Sequence, residues 1–337
     1  MLVTSALAPA AGAELADLVG MRSLTVLAPE RGTTLSVTVW YPAGAGGTAA
    51  TSGGNAVFRG THARQDAPLA AGSFPLVLLA HGGLRSALDS GAWIASRLAA
   101  MGFVVAAPNP PRLAGAQARA APDELWLRPA DLSATLAAVT SHSSLRSGLD
   151  VRAIGALGFQ LGGTSALALV GARVIGQAYA RACDRPGAAM DCDWFRKNGV
   201  DLHGIDLHRA ERSNADQRIQ AVVAIDSELS DVLEPTSLAS ISAPAKIFNL
   251  GASEAIRAEM AASRLAGAVP RAAYDTVTGA SHLDAFGLCN TEGAAILREE
   301  GDDAALCAEG QRPRAEIHAL LADMIATFFR AHLPRNR

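Results

Sequence analysis

Short apolar runs alternate with stretches of helical spacing through most of the chain. Residues 23–27 and 34–41 predict two antiparallel opening strands. The second, TLSVTVWY, switches between polar and apolar at successive positions, as a half-buried strand must when neighbouring side chains face opposite sides. Residues 43–73, rich in Gly, Thr, Ser and Ala, predict a long irregular connection. The run FPLVLLA predicts a strand buried on both faces, ending at His81-Gly82-Gly83. A helix over 88–101 and a strand over 103–107 follow. Pro108, Pro110 and Pro111 stop that strand, because proline donates no ladder hydrogen bond.

Helical spacing returns at 128–140, a strand at 153–157 and a small-residue helix at 162–171. From about 173 to 214 the alternation breaks, and polar residues with two cysteines predict a cap-like insertion over the strand ends. Strands at 221–225, 245–250 and 272–277, a helix at 254–265 and a closing helix at 314–331 complete the pattern. Such alternation builds a mostly parallel twisted sheet with helices on both faces. With no linker or internal repeat, one α/β domain is expected over 21–337.

Composition narrows the class. Half of the 337 residues are hydrophobic and 18% are charged, enough apolar side chains for a large core and too few charges for extended disorder. A net charge of −3 gives no electrostatic basis for nucleic acid as a partner. No apolar run reaches the roughly 18 residues of a membrane-spanning helix. Residues 1–20 combine a short apolar run with a cleavage-like Ala11-Gly-Ala13, but Pro9 interrupts them and no basic n-region precedes them; a signal-derived and a disordered leader both stay open. Four cysteines fall in two local couples, Cys183 with Cys192 and Cys289 with Cys307. Neither has metal-ligand spacing, so two short disulfides of a periplasmic or secreted protein are expected, with four reduced thiols of a cytoplasmic one as the alternative.

Three features stand at predicted carboxyl ends of strands, where ligands of open α/β sheets bind. In His81-Gly82-Gly83 the glycines let the backbone approach a ligand and aim an N–H at a developing oxyanion. Gly158-Phe-Gln-Leu-Gly162 lies between a buried strand and a small-residue helix and has the spacing of a sharp nucleophile turn. His282, in VTGASHLDAF, follows the last predicted strand, after the turn in chain order, where a base belongs. Each feature alone is equally at home in an ordinary turn or loop; their order along the chain is what points to a site.

Together the runs PLVLLAHGG, GAWIASRLAAMGFVVAAPN, LRPADLSATL, GFQLGGTSALAL, AVVAIDSEL and TGASHLDAF resemble the α/β-hydrolase superfamily. They are most similar to its bacterial dienelactone hydrolase-like and platelet-activating factor acetylhydrolase-like members, from about Met21 to Leu333. The resemblance implies a carboxylic-ester or lactone hydrolase lineage acting on a small carbonyl compound without metal or organic cofactor. It implies oxyanion donors at the N–H groups of Gly83 and Leu161, beside His81 and Gly82, and a base at His282. The acid it implies is Asp226, at the end of AVVAID, or else Glu254, past the next strand. Arg128 and Asp131 are implied as a structural ion pair. The chain departs from the family at Pro108-Asn109-Pro110, where an acid-His-aromatic signature stands in the family, and above all at Gln160.

Gln160 occupies the nucleophile position. A carboxamide oxygen is no usable nucleophile at neutral pH. Removing the nucleophile of a serine hydrolase costs about 10⁶ in turnover, although the oxyanion hole and binding still leave roughly 10³–10⁴ over water. Serine-type hydrolysis is therefore expected to be weak or absent. Three readings remain: a hydrolase using a water-based route, a lyase or hydratase with His282 as general base, and a non-catalytic protein whose Gln160 lines a binding pocket.

Overall fold

The computed structural model describes residues 18–184, 191–252, 256 and 260–334. Its apolar runs join in one sheet. The strands are β1 (Val19–Ala28), β2 (Thr33–Pro42), β3 (Thr48–Ser52), β4 (Thr61–Gln65), β5 (Phe74–Ala80), β6 (Val104–Asn109), β7 (Leu149–Phe159), β8 (Ala221–Ile225), β9 (Ala245–Leu250) and β10 (Ala272–Val277). They lie in the order β10-β9-β8-β7-β5-β6-β2-β1-β4-β3. From β10 through β6 every neighbouring pair is parallel, whereas β2 joins β6 and β1 in antiparallel fashion.

Helices α1 (Ala92–Ala100), α2 (Glu124–Ser141), α3 (Leu161–Leu169), α4 (Gly176–Ala180), α5 (Cys192–Lys197), α6 (Pro235–Ala239), α7 (Ser263–Ala268), α8 (Gly293–Glu300) and α9 (Arg314–His332) cover the sheet. Side-chain alternation divides the core. In β5, Leu76 and Leu78 face the side of α2 and α3, packing with Leu132, Leu136 and Leu167. Val77 and Leu79 face the other side, with Trp93 and Ile94 of α1 and Ile317, Leu321 and Phe329 of α9. A strand covered on both faces is apolar at every step, which is why β5, β8 and β9 stand out in the sequence.

Three expectations are corrected. Residues 43–73 are not irregular: β3 and β4 form an antiparallel hairpin, and β4 runs parallel to β1 through Gly20–Arg64 and Met21–Gln65. This edge hairpin buries only Ser52 and Ala63 among its strand residues, so it carries no apolar run to read. The helix predicted from 88 begins at Ala92, because Asp89 takes φ 51° and its carboxylate accepts from Thr38 Oγ1, Ser52 Oγ and Asn109 Nδ2. Finally, β6 continues through Pro108. Its pairing with β5 ends at Ala106, so the proline sits where the strand has β2 alone beside it. The start of the helix predicted at 254–265 lies outside the described residues, and α7 occupies Ser263–Ala268.

Between α3 and β8, the stretch expected as an insertion holds α4 and α5, and the Cys183–Cys192 disulfide ties the 3-10 turn after α4 to the start of α5. Cys289–Cys307 closes a second loop around α8. Denatured but unreduced protein is therefore expected to show no free thiol on titration with Ellman's reagent, and all four after reduction. Each bridge is expected to contribute about 2–4 kcal/mol of stability, measured as the loss on reduction under native conditions.

Candidate active site

The turn after β7 is fixed from two sides. Gln160 N–H donates to Ile225 O of β8 (2.9 Å), while Gln160 O accepts from Glu228 N (3.3 Å) and from Gly163 N of α3 (2.9 Å). These bonds hold Gln160 at φ 55°, ψ −126°, a conformation costing about 1–3 kcal/mol for a residue with a side chain. Glycines are required by close approach. A Cβ on Gly158 would stand 2.0 Å from Gly162 O, and one on Gly162 would stand 2.1 Å from Ala80 O. The Gln160 side chain is 1% exposed, and its Nε2 is buried without a hydrogen-bond partner. Its Oε1 lies 3.9 Å from where a Cβ of Gly82 would be, so the amide faces the turn after β5.

That turn is held by a guanidinium. Arg128 donates to Gly82 O (3.0 Å) and Gly83 O (2.9 Å). In a trans peptide the C=O and N–H point in opposite directions, so anchoring Gly82 O aims the Gly83 N–H away from Arg128. Neither that N–H nor Leu161 N–H donates to any group among the described residues. Gly82 itself has φ 77°, which glycine adopts without strain. The ion pair expected between Arg128 and Asp131 is replaced by a relay. Arg128 pairs with Glu124 (3.1 Å), Glu124 with Arg31 (2.6 Å), and Arg31 with Asp131 (2.7 Å), all buried. Burial pushes the Asp131 carboxyl up to about 6 against the pull of Arg31.

His81 is a strut in this arrangement. Its Nε2 contacts Ala285 O (2.7 Å) and its Nδ1 contacts Ser90 Oγ (3.1 Å). A carbonyl only accepts, so Nε2 carries the proton and Nδ1 accepts from the serine. Burial lowers its pKa to about 4, although the Ala285 carbonyl works the other way. Asn109, in the altered signature at the end of β6, likewise serves the backbone, accepting from Asp89 N.

Asp226 ends β8 at φ 45°. Its Oδ1 accepts from Asn249 Nδ2 (2.8 Å) and Leu250 N (3.0 Å), while its Oδ2 is buried without a partner. Burial raises its pKa to about 6, opposed by those two bonds. Glu254 lies outside the described residues.

His282 opens the 3-10 turn His282–Ala285 after β10. Groups from distant elements clamp that turn. Arg314 Nε donates to Asp284 Oδ1 (3.3 Å), His318 Nε2 contacts Asp284 O (2.9 Å) and Phe286 O (3.1 Å), and Trp93 Nε1 donates to Ala285 O (3.0 Å). Four strand spacings, about 19 Å, separate β10 from β5 in the sheet order. Contact between Ala285 and His81 therefore requires the His282 turn to fold back along the carboxyl edge past β7, where Gln160 sits.

A ferulic acid esterase from Streptomyces cinnamoneus is similar in structure, with a TM-score of 0.61 and 19% identity over 94% of this chain and 90% of that one. A dienelactone hydrolase from Anabaena variabilis has a TM-score of 0.51 and 14% identity over 94% of this chain and 100% of that one. The chain has the α/β-hydrolase fold. No protein-family profile and no curated protein sequence matches it. Within the α/β-hydrolase fold, the turns after β5 and β7 and the loops after β8 and β10 share one edge of the sheet. Among the described residues no His, Cys, Asp and Glu cluster is arranged to hold a metal, and no helix is long and apolar enough to cross a membrane. The Arg31–Glu124 link was missed by sequence reasoning. Nothing in local spacing marks partners so far apart in the chain.

Gly158→Ala and Gly162→Ala are each expected to destabilise the protein by about 3 kcal/mol or more, read from urea unfolding midpoints, because backbone atoms occupy the space of the added methyl. The His81 pKa is lower in the folded state than in the unfolded chain, so its contribution is complete above about pH 6.5 and is lost as pH falls toward 4. The stability advantage of the parent over His81→Gln should shrink by up to about 1.4 kcal/mol per pH unit across that window.

Proposed function

We propose that the chain is a carbonyl-binding protein of the carboxylic-ester and lactone hydrolase lineage, with Gln160 at the nucleophile position and serine-type hydrolysis close to absent. Gln160 itself carries the reading. It keeps the strained backbone of a nucleophile elbow, yet presents an amide whose nitrogen is buried without an acceptor. An unmet buried donor costs about 1–3 kcal/mol, which the carbonyl oxygen of a bound ester or lactone would relieve. The N–H groups of Gly83 and Leu161 supply two further donors for that oxygen.

His282 takes the base position, and Asp226, at the end of AVVAID, is the first candidate for the acid that orients it. Glu254 is the alternative acid. The likeness to an esterase and a lactone-type hydrolase supports the lineage, and the two disulfides support an exported protein.

Hydrolysis of p-nitrophenyl acetate and butyrate tests this. The parent is expected to keep no more than the roughly 10³–10⁴ over water that binding and backbone donors alone supply, and Gln160→Ser to exceed the parent by about 10³-fold or more. Adding His282→Ala to Gln160→Ser should return the rate to that of the parent. A folded Gln160→Ser protein without any gain, or a parent as fast as the variant, overturns the reading.

A further inference from the structure

A small cavity of about 30 Å³ separates the cap helices from the oxyanion turn. That volume holds one or two water-sized groups, so it suits the end of a ligand and not its body. Leu84, Leu125, Leu161 and Phe195 wall it with apolar surface, and three acidic side chains open on it: Tyr179, Asp191 and Glu228. Two of its walls belong to the oxyanion turn and the elbow, since Leu84 follows Gly83 and Leu161 carries the second donor.

Two polar groups of this cavity, the Tyr179 hydroxyl and the Asp191 carboxyl, are not spent on one another. Tyr179 is 5% exposed, and neither its hydroxyl nor the Asp191 carboxyl makes a hydrogen bond or ion pair among the described residues. Burial raises the Tyr179 hydroxyl first, and the carboxylates of Asp191, Glu228 and Asp123 raise it further, so the field at that oxygen is negative. Burial holds the Asp191 carboxyl above its usual range, against the opposing pull of the Arg85 and Arg128 charges. Arg128 is committed to Glu124 and to the carbonyls of Gly82 and Gly83. Arg85 lies 5.9 Å from the Trp194 ring centroid. Glu228 Oε1 comes within 3.8 Å of where a Cβ of Gly83 would be, which opposes a ligand carboxylate beside the oxyanion donors.

We propose that this cavity is a subsite for a primary ammonium group, so that the ligand is a carbonyl compound with an amino group on a carbon next to the carbonyl, as in an amino-acid ester. Its ammonium reaches Asp191, Tyr179 and Glu228 while its carbonyl oxygen lies on Gly83 and Leu161. The apolar walls strengthen the charge-assisted bonds by excluding water. This rests on the carbonyl reading above, and the probes separate the two.

The parent protein is titrated by calorimetry with leucine methyl ester, its N-acetyl and des-amino analogues, the matching 2-hydroxy ester, and isoamylamine, which has no carbonyl. Leucine methyl ester is expected to bind at least about tenfold more tightly than the three uncharged esters. Asp191→Asn should remove that preference without changing the des-amino ester, and Tyr179→Phe should reduce it. Equal binding of the amino, hydroxy and des-amino esters overturns the proposal, and needs no variant to fold. Tight binding of isoamylamine that depends on Asp191, with no gain from adding the ester, supports the ammonium subsite and refutes the carbonyl reading instead.

Discussion

Both backbone polar groups of Gln160 are taken by different elements: its N–H by Ile225 of β8, its C=O by Glu228 beyond β8 and by Gly163 of α3. One residue thereby fixes the meeting point of β7, β8 and α3. Its left-handed conformation is tolerated because these bonds over-determine it. Gly158 and Gly162 then let backbone meet backbone at distances no side chain would allow. Had the bend relaxed, Leu161 N–H would no longer open the helix at the sheet's edge, and the donor pair with Gly83 would be lost.

Around this bend two further clamps act at a distance. The buried relay from Asp131 through Arg31 and Glu124 to Arg128 anchors the carbonyls of Gly82 and Gly83. Charges so deeply buried persist when each is paired and hydrogen-bonded, and here the last guanidinium passes its remaining bonds to the turn after β5. On the opposite face, Arg314, His318, Trp93 and His81 converge on residues 284–286 and hold the turn that begins at His282. The turns after β5, β7 and β10 are thus each held by distant groups, and the side chain that the β7 turn carries is an amide.

Legibility along the chain followed burial. Strands β8 and β9 begin and end where the buried apolar runs do, at 221–225 and 245–250, whereas β10 keeps its expected bounds of 272–277 with Val277 as its one buried residue. The edge hairpin of β3 and β4 was read as loop because an edge with little buried surface leaves no hydrophobic signature. Asn109 stands in the Pro108-Asn109-Pro110 departure from the family signature, yet it ties Asp89 ahead of α1, a bond between residues 20 apart. His81 looked like part of a binding turn, whereas its ring nitrogens are committed to Ala285, 204 residues away, and to Ser90.

The sequence alone determined the layered α/β architecture, the close-packed glycines of the elbow, the two cysteine couples and the absence of a nucleophile at position 160, because period, residue size and chemistry are local properties. Tertiary structure alone decided which way the amide of Gln160 faces, which arginine grips the turn after β5, how far the His282 loop folds back, and that Tyr179, Asp191 and Glu228 share a cavity. Each of those depends on directions in space between residues far apart in the chain, and only the folded backbone sets such directions.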